Sequence, residues 1–451
     1  MKIAFCLHHF LPTHIAGTEI YVFNLAVHLK AMGVDTLVII PNLGSDSNEE
    51  YEHDGIRVIK YAENSVEDRA MILGKTRPDG LSRFVTVLKD EQPDVVHFHE
   101  LAPGRGFNIF HVQAVHQLQV PVVLTFHLSG YTCFKGSLMY KDVTKCDGQI
   151  KIRRCTECVY QSKKITGIKG QVLTATAMSL FKTGINTTVL NNSIATAFGF
   201  PFVISKIKND LLRLTDITEK IIVLANWYKV ILEKNGVAPE KLVYVKQGLT
   251  NGRPQVLNNA PVSLPLKVVF IGRISPLKGL HLLIDAISTL PDEKISLHIY
   301  GQQTGDGYAA ECTLKSGSKK NIHWMGAIAP ADVIATLSRY HLLCLPSTFS
   351  EMSPLVIPEA FAAGLPVLAS DVYGNAEQIK EGVNGWLFRF NDSADLADKL
   401  KRLAADKGMV QKARLNLPPA NMFKNLADIH VELYNEIAAN QRRIVKPLSR
   451  H

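Results

Sequence analysis

At 451 residues the chain is too long to bury itself around one core, so two domains of roughly 200 residues each are expected. Its 46% apolar and 20% charged residues place it among ordinary globular proteins, and no run reaches about 18 uninterrupted apolar residues, which excludes a spanning helix. The formal charge of +9 suits nucleotide phosphates, an anionic membrane or nucleic acid, without choosing among them.

In chain order, the opening "MKIAFCLHHFLP" is a brief apolar run broken by two histidines and lacks the pattern of a secretory signal. With seven cysteines, an odd number, the expected compartment is a reducing cytoplasm. "KIAFCLHHF" then reads as a strand and "GTEIYVFNLAVHLKAMG" as an amphipathic helix ended by Gly33. "VDTLVIIP", "GIRVIKY", "DVVHFHE" and "VPVVLTFH" continue as strands with helical connections between most of them. Residues 128–160 form a polar, cysteine-rich insert, and 163–215 a basic and aromatic helical region. After strand–helix–strand order resumes, 251–265 is rich in Asn, Pro and Gly, as an interdomain linker is.

A second alternating unit fills 266–420, and 421–451 is expected as a C-terminal helix packing back on the N-terminal domain, residues 1–250. Short buried strands alternating with helices predict an α/β chain of two doubly wound parallel sheets, each covered on both faces, with a cleft between the domains. Ligands of such sheets bind beyond the carboxyl ends of the strands. The segments "HHFLPTHIAGTE", "FHLSGYTC", "GRISPLKG" and "STFSEMSP" all fall there.

In "STFSEMSPLVIPEAFAAGLPV", Pro358 lacks an N–H and fits only near a helix start, so the helix begins between Val356 and Pro358. Glu351 then lies on the strand-to-helix loop and Glu359 in the first turn. Carboxylates accept hydrogen bonds from paired hydroxyls, and N–H groups of a helix start suit an anion. A ligand both anionic and rich in diols fits, and a nucleotide sugar is one. Arg273 and Lys278, just beyond a strand, are placed to clamp a diphosphate, although a solvated basic loop has the same composition. Gly17 opens a helix where no GxGxxG is present, against a dinucleotide fingerprint. His97, His99 and His127 end strands; His127, followed by Gly and Tyr, is the best candidate for function, the others serving as polar caps.

Cys133, Cys146, Cys155 and Cys158 follow no finger or ribbon spacing and fit either a tetrahedral structural zinc site or unliganded thiols, with disulfides less favoured. Cys6, Cys312 and Cys344 read as core. Lys163, Lys164, Lys169, Lys182, Lys206 and Lys208 are interleaved with Phe181, Phe198, Phe200 and Phe202. That pattern suits an anionic membrane surface or, slightly better, helices that cover the first sheet. No nucleic-acid motif accompanies it.

These motifs together resemble the retaining glycosyltransferases of family 4, with the GT-B fold of two Rossmann-like domains. "FIGRISPLKGLHLLIDA" is similar to the family's G-R-x5-K-G stretch, the Glu351–Glu359 segment to its E-x7-E motif, and "AGTE" to its G-G-x-E loop with Ala16 at the first glycine. The resemblance implies a hexosyltransferase-type enzyme moving a sugar from a nucleotide diphosphate donor to a carbohydrate or lipid-linked acceptor. It also implies that no metal or other cofactor is needed. Glu351 would bind donor-sugar hydroxyls, Glu359 the ribose diol, and Arg273 and Lys278 the diphosphate. Gly17 would line the cleft near the phosphates, and His127 would face the reacting centre. Pro354 cannot donate an N–H, so contacts there fall to Ser353, Leu355 or Val356. Glu377 matches a further acidic position.

The implied setting is synthesis of surface polysaccharide or glycolipid at the inner face of the plasma membrane. Against it stand a nucleotide-sugar epimerase of related fold, a non-catalytic binding module and a nucleic-acid-binding protein. The last is disfavoured because charge is spread along the chain.

Overall fold

The computed structural model describes residues 1–445 apart from 65–68, 103–105, 251–260, 304, 306 and 318. Most of the expected linker, 251–260, therefore lies outside the described residues. The chain divides into two units: Met1–Asp142, Cys146–Lys246 and the stretch from Phe423 make the first, and Val143–Lys145 with Gln247–Met422 the second.

The first ten strands are β1 (Lys2–Cys6), β2 (Asp35–Leu43), β3 (Glu49–His53), β4 (Ile56–Glu63), β5 (Val95–His99), β6 (Val122–Phe126), β7 (Met139–Tyr140), β8 (Thr144–Lys145), β9 (Lys220–Val223) and β10 (Leu242–Tyr244). Eight form one sheet in the order β10-β9-β6-β5-β1-β2-β4-β3, while β7 and β8 pair as a separate ribbon inside the cysteine-rich insert. β5 and β6 are buried at every residue, as strands covered on both faces must be. β3, "EEYEH", escapes a search for apolar runs because it is a half-exposed edge, antiparallel to β4. Its charges deter further pairing. The cysteine-rich insert is more regular than its polar composition suggests, since a helix over Ile152–Ser162 carries Cys155 and Cys158.

The helix Phe423–Val445 belongs to the first unit and sends polar groups into its interior. Tyr434 Oη lies 2.6 Å from His97 Nδ1, and His430 Nε2 3.3 Å from Tyr21 Oη.

The second unit contains β11 (Leu266–Ile271), β12 (Ile295–Tyr300), β13 (Ile322–Gly326), β14 (Leu342–Leu345), β15 (Val367–Ser370) and β16 (Gly385–Phe388). All six are parallel, in the order β13-β12-β11-β14-β15-β16. Side chains alternate across the sheet with period two. Val268 and Phe270 enter one core with Leu283 and Leu400, whereas Val269 enters the other with Ile357 and Phe361. Helices thus cover both faces. The order reverses between β11 and β14, and the loops that leave this pair mark the switch point where doubly wound sheets bind ligands.

Candidate active site

Both loops at that point carry residues singled out in the sequence. After β11 the chain makes a turn of 3-10 helix over Pro276–Lys278, closed by Gly279 at φ +68°, before the helix Leu280–Ser288. After β14 it runs from Pro346 to the helix Val356–Ala362. The two loops touch backbone to backbone. Thr348 N–H donates to Leu277 O at 2.8 Å, and a Cβ on Gly279 would stand 1.8 Å from Pro346 O. Only glycine fits there.

This contact brings Lys278 and Glu351 together. Lys278 Nζ donates to both carboxylate oxygens, at 2.8 and 2.7 Å, and Ser347 Oγ donates to Oε1 at 2.5 Å. The Glu351 side chain is 8% exposed and that of Lys278 19%. Behind them, Ser370 Oγ donates to Ser347 O at 2.7 Å, and Asn375 Nδ2 donates to Ser370 O at 3.2 Å. Gly374 is packed so closely that an added Cβ would lie 2.0 Å from Glu351 O. Sequence reasoning named Lys278 and Glu351 but missed this support. The glycines of "PLKGL" and "VYGNA" were its only visible signal.

Arg273 is exposed on the same loop as Lys278, and Ser353, Leu355 and Val356 are half-buried beyond Glu351. Pro354 is buried, and its carbonyl accepts from Gln378 Nε2 at 3.5 Å. Glu359 sits in the first turn of Val356–Ala362 and shows part of its surface, yet the protein packed round its carboxyl pushes the pKa up to about 7. Desolvation favours the neutral acid.

In the first unit, β1 and β5 are neighbours at the corresponding reversal of strand order. Gly17 starts the helix Gly17–Ala31, and an added Cβ there would meet nothing within 4 Å. Inside the first turn, Glu19 is buried. Its Oε1 lies 2.7 Å from His14 Nδ1, while its Oε2 has no hydrogen-bond partner. This pair was not foreseen, although the acid of "AGTE" was the available cue.

His127 directly follows β6, and its Nε2 lies 2.9 Å from Nδ1 of His99, the last residue of β5. Burial drives His127 down to about 3, and His99 and His97 well below the ordinary histidine value, so all three are neutral near pH 7. His99 Nε2 is buried without a partner. A bare ring nitrogen tolerates this better than an orphaned N–H, so His99 donates from Nδ1 and His127 carries its own proton on Nδ1. His97 is a buried structural link to Thr125 Oγ1, at 2.7 Å, and to Tyr434.

Cys133, Cys146, Cys155 and Cys158 line one cavity of about 40 Å³ and are free thiols. Among the described residues, no three His, Cys, Asp or Glu side chains are assembled as a metal centre. Cys6, Cys312 and Cys344 are fully buried. In the basic region, Gly167–Lys182, Ser193–Phe198 and Phe200–Ile217 are helices. On these helices and the segment between the first two, Ile168, Val172, Ile185, Val189, Leu190 and Ile194 are more than half exposed. Among the described residues no helix is long and apolar enough to cross a membrane.

Two family models match the sequence: "Glycosyl transferase 4-like domain" over residues 16–148 and "Glycosyl transferases group 1" over 259–417, together nearly two thirds of the chain. A D-inositol 3-phosphate glycosyltransferase of Nocardia farcinica is 30% identical over 201 residues, 41% of this chain and 44% of that protein. Spore coat protein SA of Bacillus subtilis is 27% identical over 182 residues, 36% and 48% of the two chains. The chain spans about half the length of the curated relatives it matches.

Among solved structures, Anabaena HepE in complex with UDP and glucose superposes with a TM-score of 0.61 at 15% identity, covering 97% of this chain and 100% of that one. Sucrose-phosphate synthase from Thermosynechococcus elongatus gives 0.64 at 17% identity, with 97% and 99% covered. Likeness at that level carries the fold, and the family models carry the kinship. With its two parallel-sheet α/β units, the chain belongs to the family-4 glycosyltransferases of the GT-B fold.

Proposed function

We propose that the protein transfers a sugar from a nucleotide diphosphate donor to an acceptor hydroxyl with retention of anomeric configuration. The observation that carries this reading is the Lys278–Glu351 pair held at the switch point of the second sheet. Glu351 takes the donor-sugar hydroxyls and Glu359 the ribose diol. Ser353, Leu355 and Val356 supply backbone contacts, and Arg273 with Lys278 neutralises the departing diphosphate in place of a divalent metal. For the first unit, the family resemblance assigns Gly17 to the donor phosphates and His127 to the sugar, through its Nδ1–H. The bond from the anomeric carbon to phosphate oxygen breaks as the bond to the acceptor oxygen forms on the same face. The acceptor's proton passes to the leaving phosphate.

Residues 158–209 contain no Asp or Glu, carry six lysines and include the six exposed aliphatic residues named above. This favours an acceptor presented at an anionic membrane, hence a lipid-linked or surface glycan. The test is to screen nucleotide sugars by thermal shift and then supply the stabilising donor with lipid acceptors on anionic vesicles. Release of free nucleotide diphosphate and an anomer matching the donor's are expected. A donor isomerised without acceptor, or binding with no transfer to any acceptor, would overturn the reading.

A pH dependence follows from Glu359. Its carboxyl, raised to about 7, must ionise to accept two hydroxyl hydrogen bonds. Nucleotide binding therefore weakens as pH falls below 7, approaching about tenfold per unit, and releases close to one proton near pH 6. In the free protein the sign is opposite: burying this acid costs stability as pH rises from its ordinary value towards 7, and the cost is absent below it. Calorimetric titration of a nucleoside diphosphate in buffers of different ionisation enthalpy measures the released proton. Glu359→Gln should abolish it, and an unchanged pH slope in that variant refutes the role.

A further inference from the structure

The four cysteines of the insert come from three elements. Cys133 lies on the loop after β6, Cys146 follows the β7–β8 ribbon, and Cys155 and Cys158 are three residues apart on the helix Ile152–Ser162. All four residues help to line a single space of about 40 Å³, room for one small ion or water, together with apolar neighbours such as Met139, Ile150 and Ile204. The surrounding backbone is arranged for negatively charged sulfur. Lys141 N–H donates to Cys158 Sγ at 3.1 Å, the Lys135 and Leu138 N–H groups face Cys133 and that of Gly148 faces Cys146, partly offsetting the burial that raises both thiols, while Gly136 N–H closes the turn onto Cys133 O at 2.8 Å.

The glycines are what turn the chain back. Gly136 at φ +71° and Gly148 at φ +72° occupy the left-handed region just past Cys133 and Cys146. Two cations stand at the rim: Lys135 Nζ is 3.8 Å from Cys158 Sγ, and Arg154 Nη2 is 3.9 Å from Cys146 Sγ. Oxygen acceptors are also present, Met139 O at 3.7 Å from Cys158 Sγ and Asp147 Oδ1 at 3.9 Å from Cys146 Sγ, but a neutral thiol is a weak acceptor and gives little reason for the N–H groups and cations gathered here.

We infer that Cys133, Cys146, Cys155 and Cys158 bind one thiophilic divalent cation of the zinc class as a tetrahedral thiolate site. Four thiolates around such an ion leave two negative charges, and Lys135 and Arg154 stand beside them while also pairing with Asp142 and Asp147. As folded here, no three of these side chains are gathered closely enough to hold an ion. Binding therefore requires the four sulfurs to draw in to about 2.3 Å from the ion. With all four positions taken by protein, the ion serves structure and ties the insert to the helix that follows it. The site is independent of the donor-binding residues, so its test does not depend on transferase activity.

The full chain, expressed with added zinc and purified in reductant without chelator, should contain one equivalent of zinc by elemental analysis. The Cys155→Ser/Cys158→Ser variant should contain none, whereas Cys312→Ser should match the parent. Cobalt in place of zinc should give thiolate-to-metal charge transfer and the visible bands of tetrahedral coordination. Should the double variant fail to fold, mercurial titration of the parent decides: one zinc must be released as four thiols react. A chain purified essentially free of metal, equal metal in the double variant, zinc release before any thiol reacts, or a Cys155–Cys158 disulfide in the protein as purified would each overturn the assignment.

Discussion

Glu351→Ala is expected to lower turnover about a thousandfold, in line with removing a preorganised electrostatic group, and also to destabilise the second unit. The two side chains are each other's partners and both are largely buried. Taking away one member of a buried pair strands the other, at about 3–5 kcal/mol. Lys278 keeps a fifth of its surface in water, so the lower end applies, or a fall in Tm of about 10 °C. Lys278→Ala should be at least as damaging, since it strands the more buried carboxylate.

Glu351→Gln retains an acceptor for Ser347 Oγ but still strands Lys278, and the two effects separate in the double variant Glu351→Gln/Lys278→Met, where no charge is left alone. Calorimetric Tm together with turnover measured well below it gives the comparison. The double variant should recover stability relative to Lys278→Ala yet remain inactive. Near-normal turnover in any of the four would reject the assigned roles.

Gly279→Ala should be the most disruptive single methyl in the second unit. The obstacle at 1.8 Å is a backbone carbonyl, that of Pro346, so no side-chain rotation relieves it, and φ of +68° adds strain for any L side chain. The loops after β11 and β14 would have to part, breaking the Thr348–Leu277 hydrogen bond and displacing Lys278, the preceding residue. A loss of about 4 kcal/mol is expected, read as a fall in Tm of 10 °C or more, with loss of activity in what remains folded. Gly17→Ala is the counterpart. With nothing within 4 Å of the new methyl and an ordinary backbone angle, its Tm should stay within about 2 °C. Any fall in its activity then reports on ligand contact rather than on folding. A stable Gly279→Ala chain would mean that the two loops are not fixed against one another.

Alternation of apolar runs with amphipathic segments made most strands of both sheets legible, because fully buried parallel strands are continuous in Val, Ile and Leu. Pro358 placed the start of its helix within a residue or two, since a missing N–H is a local fact. Non-local facts stayed hidden. Lys278 and Glu351 are 73 residues apart, and His97 and Tyr434 are 337 apart. Each pairing exists only once strand order is known. β3 was invisible because charge, not hydrophobicity, defines it. The cysteines gave an irregular spacing in sequence, and only the ribbon and the following helix gather them around one space.

The return of the last helix to the first unit bears on how the protein is made. Gln247–Met422 is translated as one uninterrupted stretch that supplies nearly all of the second unit, whereas His97 must wait for Tyr434 to leave the ribosome. Synthesis order and completion order are thus reversed. A fragment ending at Lys246, or a fusion that displaces the terminal helix, would leave buried imidazoles facing solvent and a nascent half dependent on chaperones.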